Sequence, residues 1–235
     1  MSNALNLGSV TLPGDGYLNL FGLQIPVTLG LEGAFLYGDG VADGAKNYAP
    51  GKNDAIVRGV PVFSTNFVKM GGGAYYETDI QETAAQTLIV VGRRAVGVPA
   101  GSAAHFIDTL SSPTVGSRLF QSTDTALNSR AAKGGDADSI ALGTGVAGNM
   151  HILCARTSSA SLHVLDDRSV GGSVTSTISG ARAVSSVPYR IGNGSAVSSA
   201  EILLAMIYSR VLSGTELDSV AAWARGYASS KGLTV

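Results

Sequence analysis

Apolar and polar positions alternate along most of this chain in short runs, the period-two pattern of strands that bury one face. Residues 31–37 form the first such run, closed by Gly38-Asp39-Gly40. Residues 74–80 form another, entered through Gly71-Gly72-Gly73. Thr87-Leu88-Ile89-Val90-Val91-Gly92 hardly alternates, which predicts a strand buried on both faces. Further strands are expected over residues 105–110, 117–121, 149–156, 161–165, 188–191 and 201–208. Breakers separate them: Lys133-Gly134-Gly135-Asp136, Gly143-Thr144-Gly145, Asp166-Asp167, Gly171-Gly172 and Gly192-Asn193-Gly194. Strands joined without helical crossovers pair antiparallel, so a sandwich or barrel is expected rather than an α/β sheet.

The pattern changes at the C-terminal end. Ser213-Gly214-Thr215-Glu216 is a capping box, in which the serine accepts from the glutamate N–H and the glutamate reaches back. Leu217, Val220, Ala221, Ala224 and Tyr227 recur at helical spacing with Trp223 beside them, and Lys231-Gly232 is a stop signal. This predicts one amphipathic helix that lays its apolar face on the sandwich. The first 30 residues read as either an added strand of the same sandwich or an arm that attaches the chain to a neighbour, so the domain proper spans residues 31–235.

Composition narrows the function classes. Charged residues make up 14% of the chain and glycine contributes 31 of its 235 residues, a balance that favours strands and turns. A formal net charge of −1 supplies no field for nucleic acid or an anionic membrane. No apolar stretch is long enough to span a bilayer. The single cysteine, Cys154, sits in an apolar run and reads as a buried structural thiol, and the start Met1-Ser2-Asn3-Ala4 lacks a secretory pattern. Assembly in a reducing cytoplasm is the expectation.

Three segments, in order, resemble the laminin-G-like (concanavalin-A-like) lectin and glucanase superfamily. Residues 31–37 followed by Asn47-Tyr48-Ala49-Pro50-Gly51-Lys52-Asn53-Asp54-Ala55 resemble its opening strand and loop, and residues 67–77 its next strand pair. Tyr189-Arg190-Ile191-Gly192, a spacer and residues 201–216 resemble its closing strand, tight turn and helix start. The resemblance implies an all-β, two-sheet antiparallel jelly roll with one C-terminal α-helix. Tyr48 and Pro50 depart from the acidic and hydroxyl positions of a calcium loop, and Met150 stands where the pattern has tryptophan. A lone domain of this kind with a terminal helix is also similar to tailed-bacteriophage virion proteins.

Candidate chemistry is sparse. Glu77-Thr78-Asp79-Ile80-Gln81-Glu82 resembles the active strand of retaining glucanases, which implies Glu77 as nucleophile and Glu82 as acid, their carboxyls about 5–5.5 Å apart. On a regular strand Glu82 has the wrong parity and would need a bulge, and the single tryptophan lies on the helix rather than in a cleft. His105, His151 and His163 fall in separate strands without zinc spacing. Asp39 and Asp43, Asp136 and Asp138, and Asp166 and Asp167 read as turn acids, and Arg93-Arg94 as a strand-edge guard. No Gly-x-Ser-x-Gly elbow is present, and no helix follows Gly71-Gly72-Gly73 to make a phosphate loop.

The expected function is therefore a non-catalytic virion surface module (tail, fibre, baseplate or capsid decoration), with no assigned cofactor, metal or binding residues. Its expected partners are other virion subunits, copies of itself and host surface glycan, not nucleic acid or membrane. The alternatives are a retaining glycoside hydrolase using Glu77 and Glu82, and a free-standing lectin.

Overall fold

The computed structural model describes residues 24–38, 44–99, 102–146, 148–158, 161–192 and 199–235. Most of the first 30 residues, expected as an added strand or an arm, lie outside them, as do Asp39 and Asp43. The described strands are β1 (Leu31–Leu36), β2 (Ile56–Arg58), β3 (Val62–Phe63), β4 (Val68–Gly71), β5 (Tyr75–Glu77), β6 (Gln86–Arg94), β7 (Ala104–Asp108) and β8 (Ser117–Gln121). They continue as β9 (Leu127–Lys133), β10 (Asp136–Leu142), β11 (His151–Thr157), β12 (Leu162–Asp167), β13 (Gly172–Thr177), β14 (Arg190–Gly192) and β15 (Ser199–Tyr208), with α1 (Gly214–Ser230) last.

Two antiparallel sheets form a sandwich, as the alternation predicts. The first runs β13-β12-β11-β6-β15-β4-β3, and the second β10-β9-β8-β7-β14-β5-β2. In the first sheet β6 covers one edge of β15 along its length. The other edge is shared end to end, Ser199–Ile202 pairing with β4 and Leu204–Tyr208 with β1.

The centre of the first sheet, over β6, β11 and β15, is buried on both faces. Leu88 and Val90 of β6 point into the core between the sheets, with Leu153, Ala205 and Ile207. Ile89 and Val91 point the other way, with Ile152, Cys154, Leu204 and Met206, and α1 covers them through Leu217, Val220, Ala224 and Ala228. Cys154 is fully buried there, and desolvation pushes its thiol pKa far up.

The helix begins where the capping box predicts. Ser213 accepts from the Glu216 N–H, and Glu216 Oε2 accepts from the Ser213 N–H at 2.9 Å. Arg210 adds a two-pronged grip on the same carboxylate at 2.6 and 2.9 Å, and this hydrogen bonding brings the Glu216 pKa down to about 2. Before β1, Ile25 is buried, and Val27 offers its carbonyl to the Tyr208 hydroxyl at 3.0 Å.

The second sheet departs most from the sequence reading. β9 and β10 form a hairpin over the two-residue turn Gly134-Gly135, Gly135 taking φ +81°. Its strands carry Asn128, Arg130, Asp136 and Asp138, which mask the alternation. β2, β3 and β13 were also not expected, being short or polar. Residues 78–80, read as strand, leave the sheet because Thr78 turns both its N–H and its hydroxyl to the Tyr189 carbonyl.

Candidate functional site

The two carboxylates of the glucanase reading do not meet. Glu77 lies at the end of β5, half-buried, and accepts from Arg58 at 3.0 Å, which holds its pKa down. Tyr76 beside it faces the core, so Glu77 points out of the second sheet. Glu82 lies beyond the strand with a fully buried side chain and an Arg182 partner at 2.5 Å, equally buried. It also accepts from Thr109 Oγ1 at 2.9 Å and the Ser185 N–H at 2.8 Å. A carboxylate buried and saturated in this way has no path to a sugar, so Glu82 is an interior tie.

The acids read as turn residues are partly strand residues with buried partners. Asp166 and Asp167 end β12, where Asp166 takes Arg156 at 3.0 Å and Asp167 takes His151 Nδ1 at 2.9 Å. Asp138 sits inside β10 and takes His163 Nδ1 at 2.7 Å. The other ring nitrogen of His163 meets Ser129 Oγ at 2.9 Å. A carboxylate only accepts, so Nδ1 carries the proton and Nε2 accepts from the serine hydroxyl. Burial outweighs the pull of Asp138 and holds the His163 pKa down, keeping the ring neutral.

Ser129, His163 and Asp138 thus have the hydrogen-bond order of a hydrolytic triad, which sequence spacing did not reveal. Ser129 is 2% exposed and His163 is 0% exposed, however, and both point between the sheets. No substrate carbonyl reaches that hydroxyl. With Ser176 donating to Asp138 at 3.1 Å, the cluster ties β9 and β10 of one sheet to β12 and β13 of the other. Among the described residues, no group of three or more His, Cys, Asp or Glu is placed to hold a metal ion.

An open groove of about 350 Å³ lies at the end of the sandwich where the loop before β2 meets the segment after β5. Its walls include Glu32, Lys52, Asn53, Asp79, Gln81 and Thr83, with Ile80 and Ser209. The loop is shaped by Asn47, whose side chain accepts from the Ala34 and Ala49 N–H groups and donates to the Glu32 carbonyl. Lys52 pairs with Glu32, and this hydrogen bond lowers the Glu32 pKa against its partial burial. Asn53 donates to Asp79 at 2.6 Å, while Gln81 is exposed. The groove presents paired carboxylates, amides and hydroxyls, groups that match the hydroxyls of a saccharide.

The outer face of the second sheet is a second polar surface. Leu119, Ile107, Ile191 and Tyr76 face the core, so their neighbours face out. Strand register sets Ser139, Arg130, Arg118, Asp108, Arg190, Glu77 and Ile56 in one line across the strands. Arg118 holds Asp108 at 2.8 Å and lies over the Phe120 ring, while Arg190 lies over Tyr75 at 5.6 Å. Burial pushes the Asp108 carboxyl up, but His105, Arg118 and the Leu110 N–H together bring it below its ordinary value.

No protein-family model matches the chain, and no curated protein matches it. Solved structures do share its fold. The receptor-binding domain of botulinum neurotoxin D superposes with a TM-score of 0.65 at 9% identity over 82% of this chain and 52% of that one. The botulinum neurotoxin serotype G binding domain gives 0.65 at 9% identity over 82% and 51%. A botulinum neurotoxin type C structure, described as entering cells through interaction with two ganglioside molecules, gives 0.64 at 8% identity over 82% and 51%. The chain spans about half the length of these neighbours. At such identities the likeness is one of fold: a β-sandwich shared with receptor-binding domains.

Proposed function

We propose that the chain is a non-catalytic saccharide-binding module whose seat is the groove lined by Glu32, Lys52, Asn53, Asp79, Gln81 and Thr83. The observation that carries this reading is a groove rich in fixed amide, hydroxyl and paired carboxylate groups, while the carboxylates of the glucanase pattern are tied elsewhere by Arg58 and Arg182. Neighbours of this fold described as receptor-binding and ganglioside-dependent support it. Screening the purified chain on a glycan array tests it. At least one glycan is expected to bind, and Asn53→Ala with Gln81→Ala is expected to weaken that binding about tenfold with melting unchanged. No binding to any glycan, or binding unmoved by the pair, sinks the reading.

The place of action belongs to the same proposal: the surface of a phage particle, as one of several copies. Its support is the low charge, the similarity noted for the domain with its capped terminal helix, and one apolar edge. On that edge β2, β3 and the link between them expose Ile56, Val57, Val60 and Val62, between 46% and 83% accessible, where further chains can pair. Antibody labelling of purified particles in the electron microscope, with light scattering on the free chain, tests it. Unlabelled particles and a strictly monomeric chain overturn this part alone.

A further inference from the structure

The outer face of the second sheet carries more cation than its own acids neutralise. Four arginines stand on it, Arg58, Arg118, Arg130 and Arg190, against two carboxylates, Asp108 and Glu77. Each carboxylate already has an arginine partner, Asp108 taking Arg118 at 2.8 Å and Glu77 taking Arg58 at 3.0 Å. Arg130 and Arg190 are the surplus: neither has an ion-pair partner among the described residues, although Arg130 Nη2 donates to the Pro113 carbonyl and Arg190 stands opposite Glu77 in register. The Nε–H of each is buried and makes no hydrogen bond. An unsatisfied guanidinium N–H is costly. Arg130 is also set directly opposite Arg118 in register, a like-charge pair that disfavours the sheet.

The surplus lies in a line. Arg130 and Arg190 are three strand steps apart, across β8, β7 and β14, or about 14 Å at the usual spacing. Aromatic rings accompany the line: Tyr75 beneath Arg190 at 5.6 Å, and Phe120 beneath Arg118 at 5.9 Å. An occupant that satisfies both features has carboxylates spaced along an extended chain and apolar ring faces between them.

We propose that this face binds an acidic polysaccharide through Arg130 and Arg190, its carboxylates pairing with the two guanidinium charges that have no carboxylate of their own, with its sugar rings beside Tyr75 and Phe120. Arginine forks match carboxylates in two-pronged geometry, and on this face Arg118 already brings both Nε and Nη2 to Asp108. A polyphosphate is the competing occupant, and the dextran sulfate and polyuridylate arms of the test separate it from a polycarboxylate. The face is separate from the groove, so this inference stands or falls without it.

The test is biolayer interferometry of the full chain against immobilised polygalacturonate, dextran, dextran sulfate and polyuridylate. Binding to polygalacturonate, weakened by added salt and absent on dextran, is expected. Arg130→Gln with Arg190→Gln should weaken it tenfold or more, and Glu77→Gln, which frees Arg58, should strengthen it. The melting temperature should not fall in the double variant, which removes two uncompensated charges, and should change little in Glu77→Gln, while the groove variant Asn53→Ala should bind polygalacturonate as the parent does. Equal binding to dextran, tighter binding to dextran sulfate or polyuridylate, or a double variant that binds as the parent does would overturn the proposal.

Discussion

The two sheets of this sandwich live in different surroundings. The first is covered on one face by its partner and on the other by α1 and the chain before β1. The second is covered once and turns a charged, aromatic face outward. The centres of the first sheet's strands β6, β11 and β15 are accordingly apolar on both faces, over residues 88–91, 152–155 and 202–207. The second must satisfy polar groups at every other position, and its stability depends on ties such as Arg182 with Glu82. Apolar packing is concentrated in one sheet and exposed charge in the other.

The largest effect that would break this comparison is at the tie. Arg182→Ala leaves the Glu82 carboxylate buried without its counter-ion, and a loss of about 3–5 kcal/mol is expected in chemical denaturation. A loss below about 1 kcal/mol would show that water replaces the arginine. Next comes a pair of truncations. Ile89→Ala, under the helix at 0% exposure, should cost about 2–5 kcal/mol, whereas Ile56→Ala, 55% exposed on the second sheet, should stay within about 0.5 kcal/mol. Similar losses at both positions would erase the distinction between the sheets.

The smallest effect is one of pH. Burial keeps the His163 pKa below 6.5, so near that pH the unfolded chain takes up a proton that the folded chain refuses. This contribution to stability is whole above pH 6.5 and declines as pH falls through the window down to the folded pKa. The slope of stability against pH should be lower in His163→Gln than in the parent by at most one proton. An identical slope in the two would mean that His163 does not titrate between the states.

The same asymmetry decides what was legible in the sequence. The run Thr87 to Gly92 and the box Ser213 to Glu216 announced β6 and α1, because burial on both faces and a reciprocal cap are both local patterns. β9 and β10 were missed because their outward positions are Asn128, Arg130 and Ser139, and because Asp138 points inward. An inward acid is invisible to a rule that equates polar with exposed. The partners that make it tolerable, His163 and Ser176, lie 25 and 38 residues away. The arginine line was hidden for a similar reason: Arg130, Arg118 and Arg190 come from three strands, and only pairing register aligns them. The groove was half visible, since Asn47 to Asp54 was read as a loop, but its opposite wall comes from residues 79–83.

Cys154 turns the packing of α1 into something a clock can read. The lone thiol sits on β11 between the sheet and the helix, shut off from solvent. A thiol-reactive dye can reach it only when that layer parts. Labelling speed in the native protein then reports how often the helix lifts, and a comparison with global unfolding shows whether it lifts alone.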